Sequence, residues 1–137
     1  MFSGSIVAIV TPYSEDGRVD LETLQSLIKW HGESGSDGVV LCGTTGEGWA
    51  LSRAEKCAIM KAAKEVSKIP LIMNAGTCST VESVAIAGDA LDAGVDGILA
   101  IVPYYNKPSY RGCQVHFTQI ANHSLLSSGS HGCIIHS

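Results

Sequence analysis

Four continuous apolar runs recur along the chain and set its fold class. They begin near residues 5, 38, 70 and 97, which gives spacings of 33, 32 and 27 residues. Each spacing fits one strand-plus-helix unit of about 30 residues. The runs are apolar along their length rather than alternating, as in parallel strands covered on both faces. The chain is therefore predicted to be an α/β protein built from repeated βα units.

Each interval between the apolar runs carries the signals of a helix. The predicted starting residues are Asp20, Ser52, Ser79 and Ser109, and Ser52 and Ser79 open capping boxes with a glutamate three residues later. The predicted helices end near Gly35, Ser67, Gly94 and Asn122. Four βα units make half of an eight-fold barrel, which typically needs about 250 residues. A doubly wound sheet is the alternative, but no glycine-rich phosphate loop follows the first strand, which favours the barrel.

The composition excludes several classes of function. The 137 residues are 45% hydrophobic and 16% charged, with a formal net charge of -4, which argues against an electrostatic nucleic-acid binder. No stretch approaches the roughly 20 apolar residues of a membrane span, and no signal peptide is evident. Five scattered cysteines without a Cys-x-x-Cys motif indicate reduced thiols in a cytoplasmic protein.

The turn at residues 43–47 (GTTGE) follows directly on the second apolar run. In parallel α/β folds, ligands bind at the carboxyl ends of the strands. The adjacent hydroxyls of Thr44 and Thr45 suit a small carboxylate better than a nucleotide, a metal or DNA. Such a pair is otherwise commonly an N-cap or turn pair. Glu47 is predicted to be structural, bonding backbone near the turn, and residues 74–77 close the third strand at the same face and can support the site.

Three motifs resemble the dihydrodipicolinate synthase (4-hydroxy-tetrahydrodipicolinate synthase) family. They are residues 4–12 (GSIVAIVTP), 43–47 (GTTGE) and 103–108 (PYYNKP), and the resemblance covers about residues 1–125. It implies about the first four of the eight βα units of a TIM barrel, so a truncated barrel over residues 1–122. It also implies a cytoplasmic homotetramer that condenses pyruvate with L-aspartate 4-semialdehyde through a lysine Schiff base in lysine biosynthesis, without a cofactor or metal.

The resemblance assigns roles to four side chains. Thr45 matches the threonine that binds the carboxylate of pyruvate, and a hydroxyl with a backbone N–H at a strand-to-helix turn suits that anion. Thr44 matches a proton-relay residue. Tyr105 matches the relay tyrosine that the family inserts into a neighbouring subunit, and Tyr104 matches the adjacent interface tyrosine. Without the resemblance, a tyrosine pair after a strand is more often packing or interface than catalysis.

The family's nucleophile has no counterpart in these residues. Its Schiff-base lysine lies on the sixth strand, and none of the six lysines here matches that position: Lys29, Lys56, Lys61, Lys64, Lys68 and Lys107. Without it the family reaction has no covalent route, so the chain is expected to be an inactive fragment. Two alternatives stay open, another pyruvate-dependent lyase such as one like N-acetylneuraminate lyase, and a non-catalytic remnant.

The helical pattern continues to His123, and residues 124–126 can lead into a fifth strand, but residues 127–137 have no strand pattern and no resemblance to the family. Residues 123–137 are therefore predicted to be an irregular tail. A metal site at His131, Cys133 and His136 is disfavoured because a terminal tract lacks a framework. We favour translation out of frame. Codons for residues 132–136, read two bases later, can give Leu-Tyr-Asn, the sequence type that ends the family's fifth strand.

Overall fold

Strands and helices alternate through the computed structural model, which describes residues 2–125 and 132–136. Five strands run in chain order: β1 Ile6–Ala8, β2 Gly38–Leu41, β3 Leu71–Asn74, β4 Gly97–Ile101 and β5 Gly132–His136. Four helices connect them: α1 Leu21–Glu33, α2 Arg53–Val66, α3 Thr80–Asp92 and α4 Tyr110–Leu125. The predicted (βα) architecture is confirmed, with strands shorter than the apolar runs that predicted them.

The sheet is parallel throughout, and its strands lie in sequence order from β1 to β5. Val39 is paired with Val7 on one side and with Leu71 on the other, and Met73 is paired with Ile98 on β4. This order, in which each strand adds beside the one before it, is how a (βα)8 barrel is built. All the turns that follow the strands therefore lie at one edge of the sheet.

Side-chain caps fix where three of the helices begin. Asp20 accepts a hydrogen bond from the Thr23 amide at the start of α1. Ser52 begins α2 with the complete capping box that the sequence predicts, since both reciprocal bonds with Glu55 are formed. Ser79 caps α3 by accepting from the Glu82 amide, but the predicted capping box is incomplete, because the Ser79 amide donates to the Thr77 hydroxyl instead of to Glu82. Each cap satisfies backbone N–H groups in the first turn and so fixes the residue at which its helix begins.

The core lies between the outer face of the sheet and the helices. Its largest fully buried side chains are Leu24, Ile28, Leu41, Ile59, Met60, Leu71, Met73, Ile86, Ile98 and Ile120. Burial of this set is the main force that holds the layers together. Within the described residues, no helix combines the length and apolarity that crossing a bilayer requires.

The tail differs from the irregular segment predicted for residues 123–137. Helix α4 continues through Leu125, and Gly132–His136 forms strand β5, which pairs in parallel with β4 from Gly97 to Ile101. The physical reason is the edge of β4 that β3 leaves free, because the backbone groups of an unpaired strand edge are a template for a further strand. Residues 126–131 and 137 of the predicted tail lie outside the described residues.

Candidate active site at the carboxyl ends of the strands

The turn after β2 is fastened to the end of β1. The Thr11 hydroxyl donates a 2.7 Å hydrogen bond to the Gly46 carbonyl oxygen, and Thr11 is buried. Within the turn, the Glu47 amide bonds the Thr44 carbonyl and the Gly48 amide bonds the Gly43 carbonyl, both at 3.1 Å. These bonds close the backbone around Thr44 and Thr45, whose side chains remain exposed.

Two residues of this turn adopt left-handed backbone, Cys42 with φ 54° and Glu47 with φ 50°. This conformation is uncommon for residues other than glycine and is kept only where the surroundings impose it. At Gly46 a side chain would lie 2.9 Å from the Ile9 carbonyl oxygen, so only glycine fits there without a shift. Local geometry therefore requires glycine at position 46 of the turn.

A cavity of 170 Å³ opens beside the turn at the carboxyl ends of β2, β3 and β4. Its lining consists of Gly43, Thr44, Trp49, Asn74, Gly76, Ile101 and Tyr104. Thr44 and Tyr104 thus line one cavity, whereas Thr45 and Tyr105 do not belong to this lining. The volume suits a small organic acid rather than a nucleotide.

The loop after β4 presents its two tyrosines differently. Tyr105 is 95% exposed and has φ 69°, whereas Tyr104 is 45% exposed and faces the cavity. Asn106 holds the loop by donating from Nδ2 to the Cys78 carbonyl at 3.3 Å. Partial burial raises the pKa of Tyr104, and the nearby Cys78 and Glu82 raise it further. The Tyr104 phenol is therefore a neutral hydrogen-bonding group at neutral pH.

Cys42 and Glu47, next to the turn and at its end, do not have the properties of reactive side chains. Burial raises the pKa of the Cys42 thiol to about 12, although Lys56 opposes the shift, so this cysteine stays protonated and inert. The predicted bond between the Glu47 carboxylate and backbone is not formed within the described part of the chain, where the Glu47 amide bonds the Thr44 carbonyl instead. That detail of the prediction is wrong because the left-handed turn leaves the side chain exposed.

The lysines lie where the sequence places them. Lys29 is on α1, and Lys56, Lys61 and Lys64 are on α2, all on the helical layer. Lys68 lies between α2 and β3, and Lys107 lies in the exposed loop after Tyr105. None of the six lysines lines the cavity. Among the described residues there is also no cluster of histidine, cysteine and carboxylate side chains that could hold a metal ion.

Three contributors to the site have no assigned role in the sequence analysis. The sequence predicts Thr11 only as the end of the first strand, and it places Trp49 and Ile101 in no functional motif. Their positions follow from the parallel order of the strands, which brings the carboxyl ends of β1, β2 and β4 to one edge. The sequence feature that could have identified Thr11 is its position as a polar residue directly after an apolar run.

The described geometry agrees with the comparison to known families. The model of the Dihydrodipicolinate synthetase family matches residues 1–127. The chain belongs to this family. The resemblance of the three motifs is thereby confirmed, as is the TIM-barrel fold class.

Two curated relatives of this dihydrodipicolinate synthetase family member are named 4-hydroxy-tetrahydrodipicolinate synthase. A 4-hydroxy-tetrahydrodipicolinate synthase of Azoarcus sp. is 47% identical over 123 residues, which is 88% of this chain and 42% of the relative. One of Methanosarcina mazei is 46% identical over 121 residues, with the same two shares. The chain therefore spans less than half of the length of the curated relatives it matches.

Solved structures of the family superpose closely on the chain. The dihydrodipicolinate synthase of Acinetobacter baumannii, complexed with pyruvate, has a TM-score of 0.86 and 42% identity, and the match covers 90% of this chain and 43% of that one. The Aquifex aeolicus enzyme has a TM-score of 0.86 and 41% identity, with shares of 89% and 42%. At these identities and TM-scores the two solved structures share the fold of the chain.

Proposed function

We propose that this sequence is the part of a 4-hydroxy-tetrahydrodipicolinate synthase that binds the carboxylate of pyruvate and relays a proton. The observation that carries the proposal is the GTTGE turn, with Thr44 lining a small cavity at the carboxyl end of β2 in a chain 47% identical to such enzymes. The reaction is the condensation of pyruvate with L-aspartate 4-semialdehyde through a lysine Schiff base.

Each site residue has a distinct role in this proposal. Thr45 binds the pyruvate carboxylate through its hydroxyl and backbone N–H, which are suitable donors to an anion. Thr44 passes a proton, because a hydroxyl can donate and accept at once. Tyr105 completes the relay in a neighbouring subunit, and its 95% exposure with left-handed backbone suits a side chain that projects from its own subunit. Tyr104 lies at the same interface of a homotetramer.

The 137 residues do not catalyse the reaction by themselves in this proposal. None of their lysines lines the cavity, so no amine is available to form the iminium that stabilises the carbanion of pyruvate. Borohydride reduction in the presence of pyruvate tests this point directly. Intact-mass measurement is expected to find no stable adduct, and a stoichiometric adduct on the chain would contradict it. The coding DNA beyond codon 126 tests whether the tail is out of frame.

Activity is tested on a restored chain, in which residues 1–125 are joined to the remaining part of the Azoarcus relative. The restored chain is expected to consume pyruvate and L-aspartate 4-semialdehyde. Thr45→Val should raise KM for pyruvate, and Thr44→Val should lower kcat by about 10²–10⁴-fold, as for loss of a positioned proton donor. Thr23→Val on the exposed face of α1 is the matched control.

The restored chain also distinguishes the alternative functions. Cleavage of N-acetylneuraminate in place of the condensation would favour the alternative lyase, and the absence of both activities would favour a non-catalytic remnant.

A further inference from the structure

Asn74 joins the carboxyl ends of two strands at the cavity. Its Nδ2 donates a 2.9 Å hydrogen bond to the carbonyl oxygen of Cys42, 32 residues away after β2. Its Oδ1 accepts a 3.2 Å bond from the amide of Gly76 beyond the end of β3. Asn74 is half-buried and lines the same cavity as Thr44. One amide therefore connects the backbone on both sides of the candidate site.

The direction of these bonds fixes the orientation of the amide. The partner on β2 is a carbonyl oxygen, which only accepts, and the partner at Gly76 is an N–H, which only donates. Rotating the amide by half a turn would place oxygen against oxygen and N–H against N–H. Asn74 therefore supplies one donor and one acceptor that no aliphatic or purely accepting side chain of similar size can replace.

The Cys42 carbonyl needs such a partner because the β2–β3 ladder ends before it. The last register pair of these strands is Leu41 with Met73, and Cys42 then turns into left-handed backbone with φ 54°. Cys42 is also buried, with 2% of its surface exposed, so water does not replace the missing ladder bond. The carbonyl is followed in sequence by Gly43 and Thr44, both in the lining of the cavity.

We propose that Asn74 is a positioning residue that sets the GTTGE turn in the geometry required to bind a carboxylate. The inference rests on the proposed function, and it goes beyond that function by assigning a role to a residue outside the three motifs. Asn74 acts through Cys42: the amide holds the carbonyl of Cys42 toward β3 and so orients the peptide that leads to Gly43 and Thr44. Gly76, bonded to the same amide, anchors the opposite wall.

The test follows pyruvate binding to the 137-residue chain through the backbone amide resonances of Gly43, Thr44 and Thr45. Asn74→Ala removes both bonds and is expected to weaken pyruvate binding by about tenfold or more, as misplacement of a binding group does. Gln25→Ala is the matched control, because it removes a 2.9 Å bond from a side-chain amide to the Ala62 carbonyl away from the cavity. The control is expected to bind pyruvate like the parent chain.

Asn74→Asp separates positioning from general stability within one protein. Its ionised carboxylate can accept from Gly76 but cannot donate to the Cys42 carbonyl, so binding at pH 7 should be weak. Protonation restores a donor of nearly the same shape, and the carbonyl oxygen beside it favours the protonated form. The Gly43 and Thr44 amide resonances of this variant without ligand should therefore return toward their positions in the parent chain as pH falls from 7 to 5, whereas those of Asn74→Ala should not.

The outcomes distinguish this inference from the function on which it rests. Saturable pyruvate shifts in the parent chain, with equal affinity in Asn74→Ala, would overturn the positioning role and leave the proposed function intact. No saturable shift in the parent chain would overturn both. If Asn74→Ala does not fold, the ligand-free Gly43 and Thr44 amide resonances of Asn74→Asp decide. Their return toward the parent positions as the pH falls supports the role, and resonances that do not change with protonation overturn it.

Discussion

The hydroxyl of Thr11 donates a 2.7 Å hydrogen bond to the carbonyl oxygen of Gly46, across 35 residues of sequence. The bond is buried, and it ties the segment after β1 to the turn after β2. Together with the Asn74 bridge to Cys42 at 2.9 Å, it fixes the turn from the strands on both sides. The site is thus a loop held by its neighbours rather than a self-contained motif.

Replacing Thr11 by valine should destabilise the chain by about 1–3 kcal/mol, because the buried Gly46 carbonyl loses its partner while the shape is kept. Urea unfolding measures the effect. Thr23→Val is the control, since it removes a 2.7 Å bond from a threonine hydroxyl to Asp20 at an exposed position. An equal loss in the two variants would show that burial of the carbonyl is unimportant.

A methyl group at Gly76 should also destabilise the fold. A Cβ there would lie 2.7 Å from the backbone nitrogen of Ile101, which cannot move without shifting β4. We expect Gly76→Ala to cost about 1–3 kcal/mol, as overpacking does. Gly32→Ala on α1 is the control, because its nearest neighbour would be 3.8 Å away and alanine favours a helix by about 0.5–1 kcal/mol. A neutral Gly76→Ala would contradict the close packing of β3 against β4.

His116 should make stability depend on pH. Its Nδ1 lies 2.8 Å from the Thr80 hydroxyl, and its Nε2 is buried without a hydrogen-bond partner among the described residues. Burial lowers the pKa of His116, an effect that the Ile101 carbonyl opposes. The unfolded chain therefore binds a proton more readily than the folded chain once the pH falls below about 6.5. Stability should be full above that pH and decrease as the pH falls toward the lower pKa of the folded state.

His116→Gln keeps a polar group that can reach Thr80 but does not titrate, so it should flatten the stability profile between pH 7 and 5. Thermal melts across this range measure the slope. His31→Gln replaces another histidine, whose Nδ1 lies 3.0 Å from a serine hydroxyl, and serves as the control. The same flattening in the control, or an unchanged slope in His116→Gln, would contradict the assignment.

The free edge of β1 should promote self-association. Among the described strands, β1 pairs only with β2, and Ala8 on β1 and Val10 beyond its end are exposed, Val10 at 51%. An unpaired strand edge is a template for pairing with another chain. Size-exclusion chromatography should detect species larger than a monomer, and Ala8→Lys should reduce them. Val81→Lys, at an 81% exposed position on α3, should not. A monomer at all concentrations would refute this prediction.

Local signals predict the start of each element better than its length. The Asp20 cap and the Ser52 capping box are formed as the sequence indicates, because both depend on residues three positions apart. Strand ends were less predictable: the apolar run from Ser5 to Val10 contains only three paired residues, Ile6–Ala8. Pairing stops where the neighbouring strand stops, and that property belongs to the sheet rather than to the run.

In the candidate site, too, the local sequence predicts the motif but not the direction in which each side chain points. The GTTGE motif identifies Thr44 and Thr45 together, but only Thr44 lines the cavity, because successive residues of a turn point in different directions. Glu47 is exposed without a side-chain bond in the described part of the chain, for the same reason. Adjacent positions in sequence do not fix a common direction once the backbone turns through left-handed conformations at Cys42 and Glu47.

The sequence by itself determined the βα periodicity, the helix caps and the motifs of the family, because each depends on residues close together in the chain. Only the tertiary structure decided which groups meet. The Thr11–Gly46 and Asn74–Cys42 bonds join residues 35 and 32 positions apart, and strand β5 forms against the edge that β4 offers. Such contacts are set by the register of parallel strands, and register is a property of the packed sheet that no single segment carries.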